Sequence, residues 1–172
     1  MSNNKYTDLL KSLQEAKDKN MPLFYKNFFN DDEIPRWDEI LNCLYDQYNE
    51  KQNVITEYES YLSLIPDYFE QDKYFLQLKE FKETLFFQCH GPKVSIGRFD
   101  IGSHKDAWDG ITVHCEGNNT WTVSDKPTWE NPSYLESFDL GRGDILFCPK
   151  GFYHKIKSSN ARASILFVGD IK

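Results

Sequence analysis

The chain has 172 residues, of which 40% are hydrophobic and 16% aromatic, and a formal net charge of −7. That length and apolar content suit one domain with a single core, and the wealth of aromatic residues excludes a largely disordered chain. The acidic balance, with no dense Lys/Arg cluster, argues against a nucleic-acid partner while leaving room for a local basic rim, and no segment approaches the ~20 apolar residues of a membrane span.

The first residues, MSNNKYTDLL, are polar and lack the apolar core of a secretory signal, so the expected location is cytoplasmic. Residues 1–90 read mostly as helix. Leu9, Leu10 and Leu13 share one face of an amphipathic segment with Lys and Glu opposite. After Pro22, Leu23-Phe24-Tyr25 is short, apolar and β-favouring, which predicts a strand. Asp31 or Asp32 is the expected cap of a helix over roughly 34–50, in which Ile34, Trp37, Ile40 and Leu44 recur at helical spacing. A further helix is expected near 72–86, where Tyr74, Phe75, Leu78, Phe81 and Leu85 make an apolar stripe.

From about residue 91 the texture changes to short apolar runs punctuated by Gly, Pro, Asn and Asp. The predicted strands are 93–101, 108–116, 119–124, 134–140, 144–148, 152–157 and 163–169, a spacing that suggests a β-sandwich or barrel. Helices packed on one outer face of a jelly roll would join both halves, residues 1–90 and the core 91–172, in one domain. None of the four cysteines, Cys43, Cys89, Cys115 and Cys148, forms a CxxC pair, and Cys115 and Cys148 fall in predicted strands, where a thiol packs as a small apolar group.

Two segments carry candidate chemistry. In Gly102-Ser103-His104-Lys105-Asp106, an imidazole and a carboxylate two residues apart in extended chain point the same way, so both can reach one metal ion. Gly143 to His154 reads as a turn, an apolar strand, a sharp Pro149/Gly151 reversal and then a histidine opening another strand. In a jelly roll that histidine has a natural place opposite the HxD pair. Two His and one carboxylate on one face of a metal leave open positions that suit non-haem Fe(II).

The segment Gly143 to His154 resembles the second cupin motif position by position: Gly, five residues, Pro, one residue, Gly, two residues, His. His104 to Val123 is similar to the metal-binding strand region of bacterial jumonji-type oxygenases, the class that includes ribosomal-protein hydroxylases, at His104, Asp106, Trp108, Asp109, Glu116-Gly117 and Trp121. Leu23-Phe24-Tyr25 after Pro22 is similar to that family's entry strand. The resemblance implies a mainly β chain with N-terminal helices, folded as a double-stranded β-helix (a cupin-like jelly roll). It further implies an Fe(II)- and 2-oxoglutarate-dependent dioxygenase, a hydroxylase acting on a protein side chain or a small molecule, with His104, Asp106 and His154 as iron ligands and the cofactor carrying the hard step. At 172 residues the dimerisation and substrate domains of larger relatives are not expected, so a protein substrate would dock at the barrel mouth.

One position departs from the pattern. Where the family places a Lys or Arg to pair with the far carboxylate of 2-oxoglutarate, this chain has Asn119, which donates a hydrogen bond without the charge. Arg162 is the best substitute, with Arg98 and Lys93 behind it, and Thr112 is expected inside the barrel near a bound acid. His114 shares strand parity with Thr112 and reads as a hydrogen-bonded interior residue; His90 has no assigned role. Trp108 and Trp121 either wall the site or pack the core, and Asp125 to Ser133 reads as a loop near the mouth. Two alternatives stay open: a metal-dependent cupin enzyme that does not use 2-oxoglutarate, which Asn119 favours, and a non-catalytic binding or structural jelly roll.

Overall fold

Strands that alternate between two facing sheets build the chain from residue 93 onward. The computed structural model describes residues 3–49, 55–58, 61–64, 76–89, 93–97 and 100–172. Eight strands form the barrel: β5 (Lys93–Gly97), β6 (Asp100–Lys105), β7 (Asp109–Glu116), β8 (Asn119–Ser124), β9 (Leu135–Leu140), β10 (Ile145–Cys148), β11 (Tyr153–Lys157) and β12 (Arg162–Ile171). The small sheet runs in the order β6-β11-β8-β9, and the large sheet contains the run β10-β7-β12-β5. The chain therefore crosses from sheet to sheet after nearly every strand, and every pairing is antiparallel. This winding is the jelly roll expected from the sequence.

The large sheet is extended at both edges. β1 (Leu23–Tyr25), the expected entry strand, pairs with β10. At the other edge lie β2 (Ile55–Tyr58) and β3 (Tyr61–Leu64), and β4 (Phe86–Cys89) pairs with the far end of β12. These three strands interrupt a segment whose described residues are otherwise mostly helical, as expected. β4 follows directly on the helix expected near 72–86, because Phe86–Cys89 finds an open strand edge at Gly169 to Ile171. A Cβ at Gly169 would stand 1.9 Å from the Gln88 carbonyl oxygen, so the close approach of β4 requires glycine there.

Three helices cover the outer face of the large sheet. α1 (Asn3–Asp18) buries Tyr6, Leu9, Leu13 and Ala16 at helical spacing. It stops where Asn20 turns left-handed (φ 49°) and the Met21 N–H returns to the Ala16 carbonyl at 2.9 Å, a Schellman ending just before Pro22. α2 (Trp37–Asn49) begins later than predicted and is capped otherwise: the Arg36 N–H donates to Glu39 at 2.8 Å, as in a capping box. Asp31 instead binds Arg142. α3 (Leu76–Leu85) buries Leu78, Phe81 and Leu85, whereas Tyr74, Phe75 and the rest of the predicted stripe before residue 76 lie outside the described residues.

Two cores result. The first lies between helices and large sheet, with Phe81 against Tyr6, Phe29 and Phe167. The second lies between the sheets and holds Trp121, Val123, Leu140, Leu146, Cys148, Phe152 and Ile156. Arg142 ties the helical layer to the barrel by donating to the carbonyls of Asp31, Ile34, Pro35 and Cys115 and to the carboxylates of Asp31 and Glu116. No helix among the described residues is long and apolar enough to cross a membrane.

Candidate metal centre

The fold brings His104, Asp106 and His154 to one end of the small sheet. β6 and β11 are neighbours in register, with His104 directly opposite His154, so both imidazoles project from the same face and their ring centroids stand 4.3 Å apart. Asp106 lies just past the end of β6, where its carbonyl accepts the Gly151 N–H at 3.3 Å and so joins the two motifs across the barrel mouth. Its carboxylate oxygen Oδ2 is 3.7 Å from His154 Nε2. One ligand atom from each of the three residues lies within 4.8 Å of the others.

Local structure sets the orientation of each ring. His104 Nδ1 bonds the Gly102 carbonyl at 2.9 Å, which places the proton on Nδ1 and leaves Nε2 as the electron-pair donor. His154 is 4% exposed, stacked on Trp121 with centroids 5.1 Å apart, and its Nδ1 faces Cys148 Sγ at 3.7 Å. Burial, reinforced by the neighbouring His104 and opposed by Asp106, pushes the His154 pKa down to about 4. A neutral imidazole is the form that binds a metal. Two nitrogens and one carboxylate oxygen, oriented by backbone contacts and close enough for one ion to bridge after rotamer-scale adjustment, fit a divalent transition metal.

The other sequence-derived candidates lie farther into the barrel. Thr112 is 2% exposed, opposite Leu146 and Leu166, and faces the interior by strand alternation. Asn119 is also buried, but it sits four residues along β8 from Val123, the partner of His154, or about 13 Å of strand. Neither its amide nitrogen nor its amide oxygen is hydrogen-bonded. Arg162 is 1% exposed and donates to Ser164 Oγ at 3.0 Å and Ser95 Oγ at 3.5 Å. It opens β12 beside the β7–β8 turn, where a Cβ on Gly117 would approach Arg162 Cα to 3.0 Å. The interior thus has a triad end and a polar deep end holding Arg162 and Asn119, with Thr112 between.

His114 is a hydrogen-bonded interior residue, as expected. Its Nε2 donates to the Gly117 carbonyl at 2.9 Å, so its Nδ1, at 2.9 Å, accepts from the Ser164 hydroxyl, which in turn accepts from Arg162. His90 and Arg98 lie outside the described residues, as does the side chain of Lys93. Trp108 is 39% exposed under Lys150 and borders the mouth, while Trp121 belongs to the inner core and the site at once. The loop after β8 contains a 3-10 turn, Thr128–Glu130, with Trp129 exposed at its tip. The stacking of Trp121 on His154 and the approach of Cys148 were not read from the sequence. Strand parity carries the signal for both, since Trp121 and Val123 share a face and Cys148 shares one with Leu146.

No protein-family model matches the chain, and no curated protein matches its sequence. Solved structures do. Escherichia coli YcfD superposes with a TM-score of 0.65 at 16% identity, over 94% of this chain and 52% of that one. A structure of the same protein, described as a ribosomal oxygenase in complex with cobalt and 2-oxoglutarate, gives 0.55 at 16% identity over 88% and 48%. An oxidoreductase of the 2OG-Fe(II) oxygenase family from Burkholderia pseudomallei gives 0.60 at 11% identity over 95% and 88%. At these identities the likeness is one of fold. The chain spans about half the length of YcfD.

Proposed function

We infer that this protein is an Fe(II)- and 2-oxoglutarate-dependent oxygenase that hydroxylates a protein side chain or a small molecule. The observation that carries the reading is the convergence of His104, Asp106 and His154, from two separated motifs, to within 4.8 Å at the mouth of a jelly roll. These three side chains would hold the metal. YcfD, which shares the fold, is a ribosomal oxygenase and has been solved in complex with cobalt and 2-oxoglutarate. When bound, iron and 2-oxoglutarate supply oxidative decarboxylation of the keto acid coupled to oxidation of a substrate C–H bond.

The chain's own residues have distinct tasks in this reading. His104 presents Nε2 because the Gly102 carbonyl fixes its tautomer. His154 stays neutral because it is buried, and Trp121 holds its ring plane. Arg162 supplies the cation for the far carboxylate from the deep end, with Thr112 lining the path between. Trp121, Leu146, Cys148 and Phe152 keep water from the interior. The mouth is left for the substrate, bordered by Trp108 and the loop carrying Trp129.

A second reading, a metal-dependent cupin enzyme without 2-oxoglutarate, is favoured by one observation: Asn119 stands where the resemblance calls for a cation, and Arg162 is already bonded to two serines. Anaerobic titration decides between them. Fe(II) followed by 2-oxoglutarate is expected to give the weak visible charge-transfer band of the chelate, and Arg162→Ala to weaken 2-oxoglutarate affinity while leaving iron affinity unchanged. Iron binding with no such band selects the second reading. Absence of iron binding removes both.

A further inference from the structure

At the end of the barrel opposite the triad lies a cavity of about 610 Å³. It is walled by the β7–β8 turn (Asn118, Asn119), the start of β8, the β9–β10 turn (Gly141 to Asp144), the end of β11 (Lys157) and the segment Lys26-Asn27 after β1. The volume falls within the range of metabolite pockets.

The walls are firmly built. Asp144 accepts the Asn27 N–H at 2.7 Å through one carboxylate oxygen and the Gly141 N–H at 2.8 Å through the other. The Phe29 N–H donates to the Gly143 carbonyl at 3.0 Å, and at Gly143 (φ +85°) a Cβ would lie 2.4 Å from the Phe29 carbonyl oxygen, so only glycine allows this seam to close. Asn27 holds a left-handed conformation (φ 51°) to complete it.

Removing the groups already engaged leaves a distinctive remainder. Asp144 is occupied by two backbone N–H groups and Arg142 is committed to six acceptors, while Asp139 accepts from the Thr120 hydroxyl at 2.6 Å through one oxygen and keeps its negative charge on one wall. Lys26 and Lys157 make no ion pair among the described residues. On the inner wall is Asn119, 3% exposed, with both amide atoms unsatisfied. A buried amide without partners costs free energy unless something meets it. The uncommitted groups are therefore two ammonium ions, amides from Asn118 and Asn119, and the Ser159 hydroxyl, on a chain whose net charge is −7.

We propose that this cavity is a second ligand site, distinct from the triad, that binds a small organic anion, a carboxylate or phosphate ester bearing hydroxyl groups. Lys26 and Lys157 pair with its charge and the asparagine amides with its polar body. The proposal does not depend on the oxygenase reading, because none of the triad residues borders the cavity.

The full-length protein is titrated with inorganic phosphate, citrate and glucose 6-phosphate, by calorimetry and by the amide resonances of a ¹⁵N-labelled sample. At least one probe is expected to bind with one-to-one stoichiometry and to move the Asn118, Asn119 and Gly141 resonances. The double variant Lys26→Gln/Lys157→Gln, altered only at exposed side chains, should weaken that binding by about tenfold or more, and His104→Ala should leave it intact. No binding at about 10 mM probe overturns the site. So does binding indifferent to the two lysines, or binding abolished by His104→Ala with shifts confined to the triad end.

Discussion

The two sheets of the barrel bury their residues differently. In the large sheet, β7 is buried from Asp109 through Cys115, because helices cover its outer face and the small sheet its inner one. In the small sheet, β11 alternates: His154 and Ile156 point inward, while Tyr153, Lys155 and Lys157 face out. The large sheet therefore carries most of the apolar burial that holds the fold, and the small sheet carries two of the three candidate ligands, His104 and His154, on a face stiffened from one side only. Stability and metal affinity should then respond to different substitutions. Phe81→Ala tests the first half of that statement. Phe81 is fully buried against Tyr6, Phe29 and Phe167 on the helical side of the large sheet, and its truncation should cost about 3–5 kcal/mol in urea denaturation. Metal affinity of the protein that remains folded should not change; a parallel loss would show that the two sheets do not act separately.

The inner face of the large sheet carries a buried polar group at its deep end, His114 with Ser164 and Arg162, and pH probes it. Burial pushes His114 down to about 4 from 6.5, with Arg162 adding to the shift and Gly117 and Asp144 opposing it. A histidine with a depressed folded-state pKa takes up its proton more readily when unfolded. Its contribution is fully present above pH 6.5 and is lost as pH falls from 6.5 toward 4, up to about 3 kcal/mol in total. Acidification over that window should therefore lower the melting temperature more steeply in the wild type than in His114→Gln. Since His154 titrates in the same direction in both proteins, the difference between the two curves isolates His114. Parallel curves would mean that the Gly117–His114–Ser164 chain of hydrogen bonds is misassigned.

How much of this was legible in the sequence follows from the same contrast. Strands from residue 108 onward could be read because Gly117, Asn118, Pro149 and Gly151 punctuate apolar runs, and the facing of His104 and His154 followed from a two-residue period and a sharp reversal. The single strand expected over 93–101 is instead two strands in opposite sheets, since a crossing between sheets leaves no mark on hydrophobic alternation. β4 was invisible because Phe86 and Phe87 continue the helical stripe of α3; only the open edge of β12 makes them extended. Depth was invisible as well. Nothing in the order of residues says that Asn119 and Arg162 share the far end of the barrel, because that depends on how far each strand runs past the triad.

Within the small sheet, sidedness should separate function from surface. His104→Ala removes a ligand atom that is anchored to Gly102 and held 4.3 Å (ring to ring) from His154. It should lower Fe(II) affinity by about 100-fold while leaving the denaturation midpoint within about 1 kcal/mol, because the residue is only half-buried. Calorimetric titration under anaerobic conditions gives the first quantity and urea unfolding of the apoprotein the second. Unchanged iron affinity would remove the metal centre, whatever becomes of the fold.

The smallest effect belongs to the closest neighbour. Thr122 is paired in register with Lys155, one residue from His154, but points to the opposite face, where its hydroxyl meets that of Ser137 at 3.0 Å in solvent. An exposed cross-strand pair of this kind is worth about 0.2–1 kcal/mol. Thr122→Ala should cost about 0.2–1 kcal/mol in urea unfolding and leave iron affinity unaltered, although its backbone is hydrogen-bonded to the strand that carries a ligand. If direction decides function, a change this near to His154 is silent because the β pleat turns it away. A tenfold loss of iron affinity in Thr122→Ala would mean that the backbone of β8 transmits strain to His154 through Trp121, and that the inner face is positioned by the outer one.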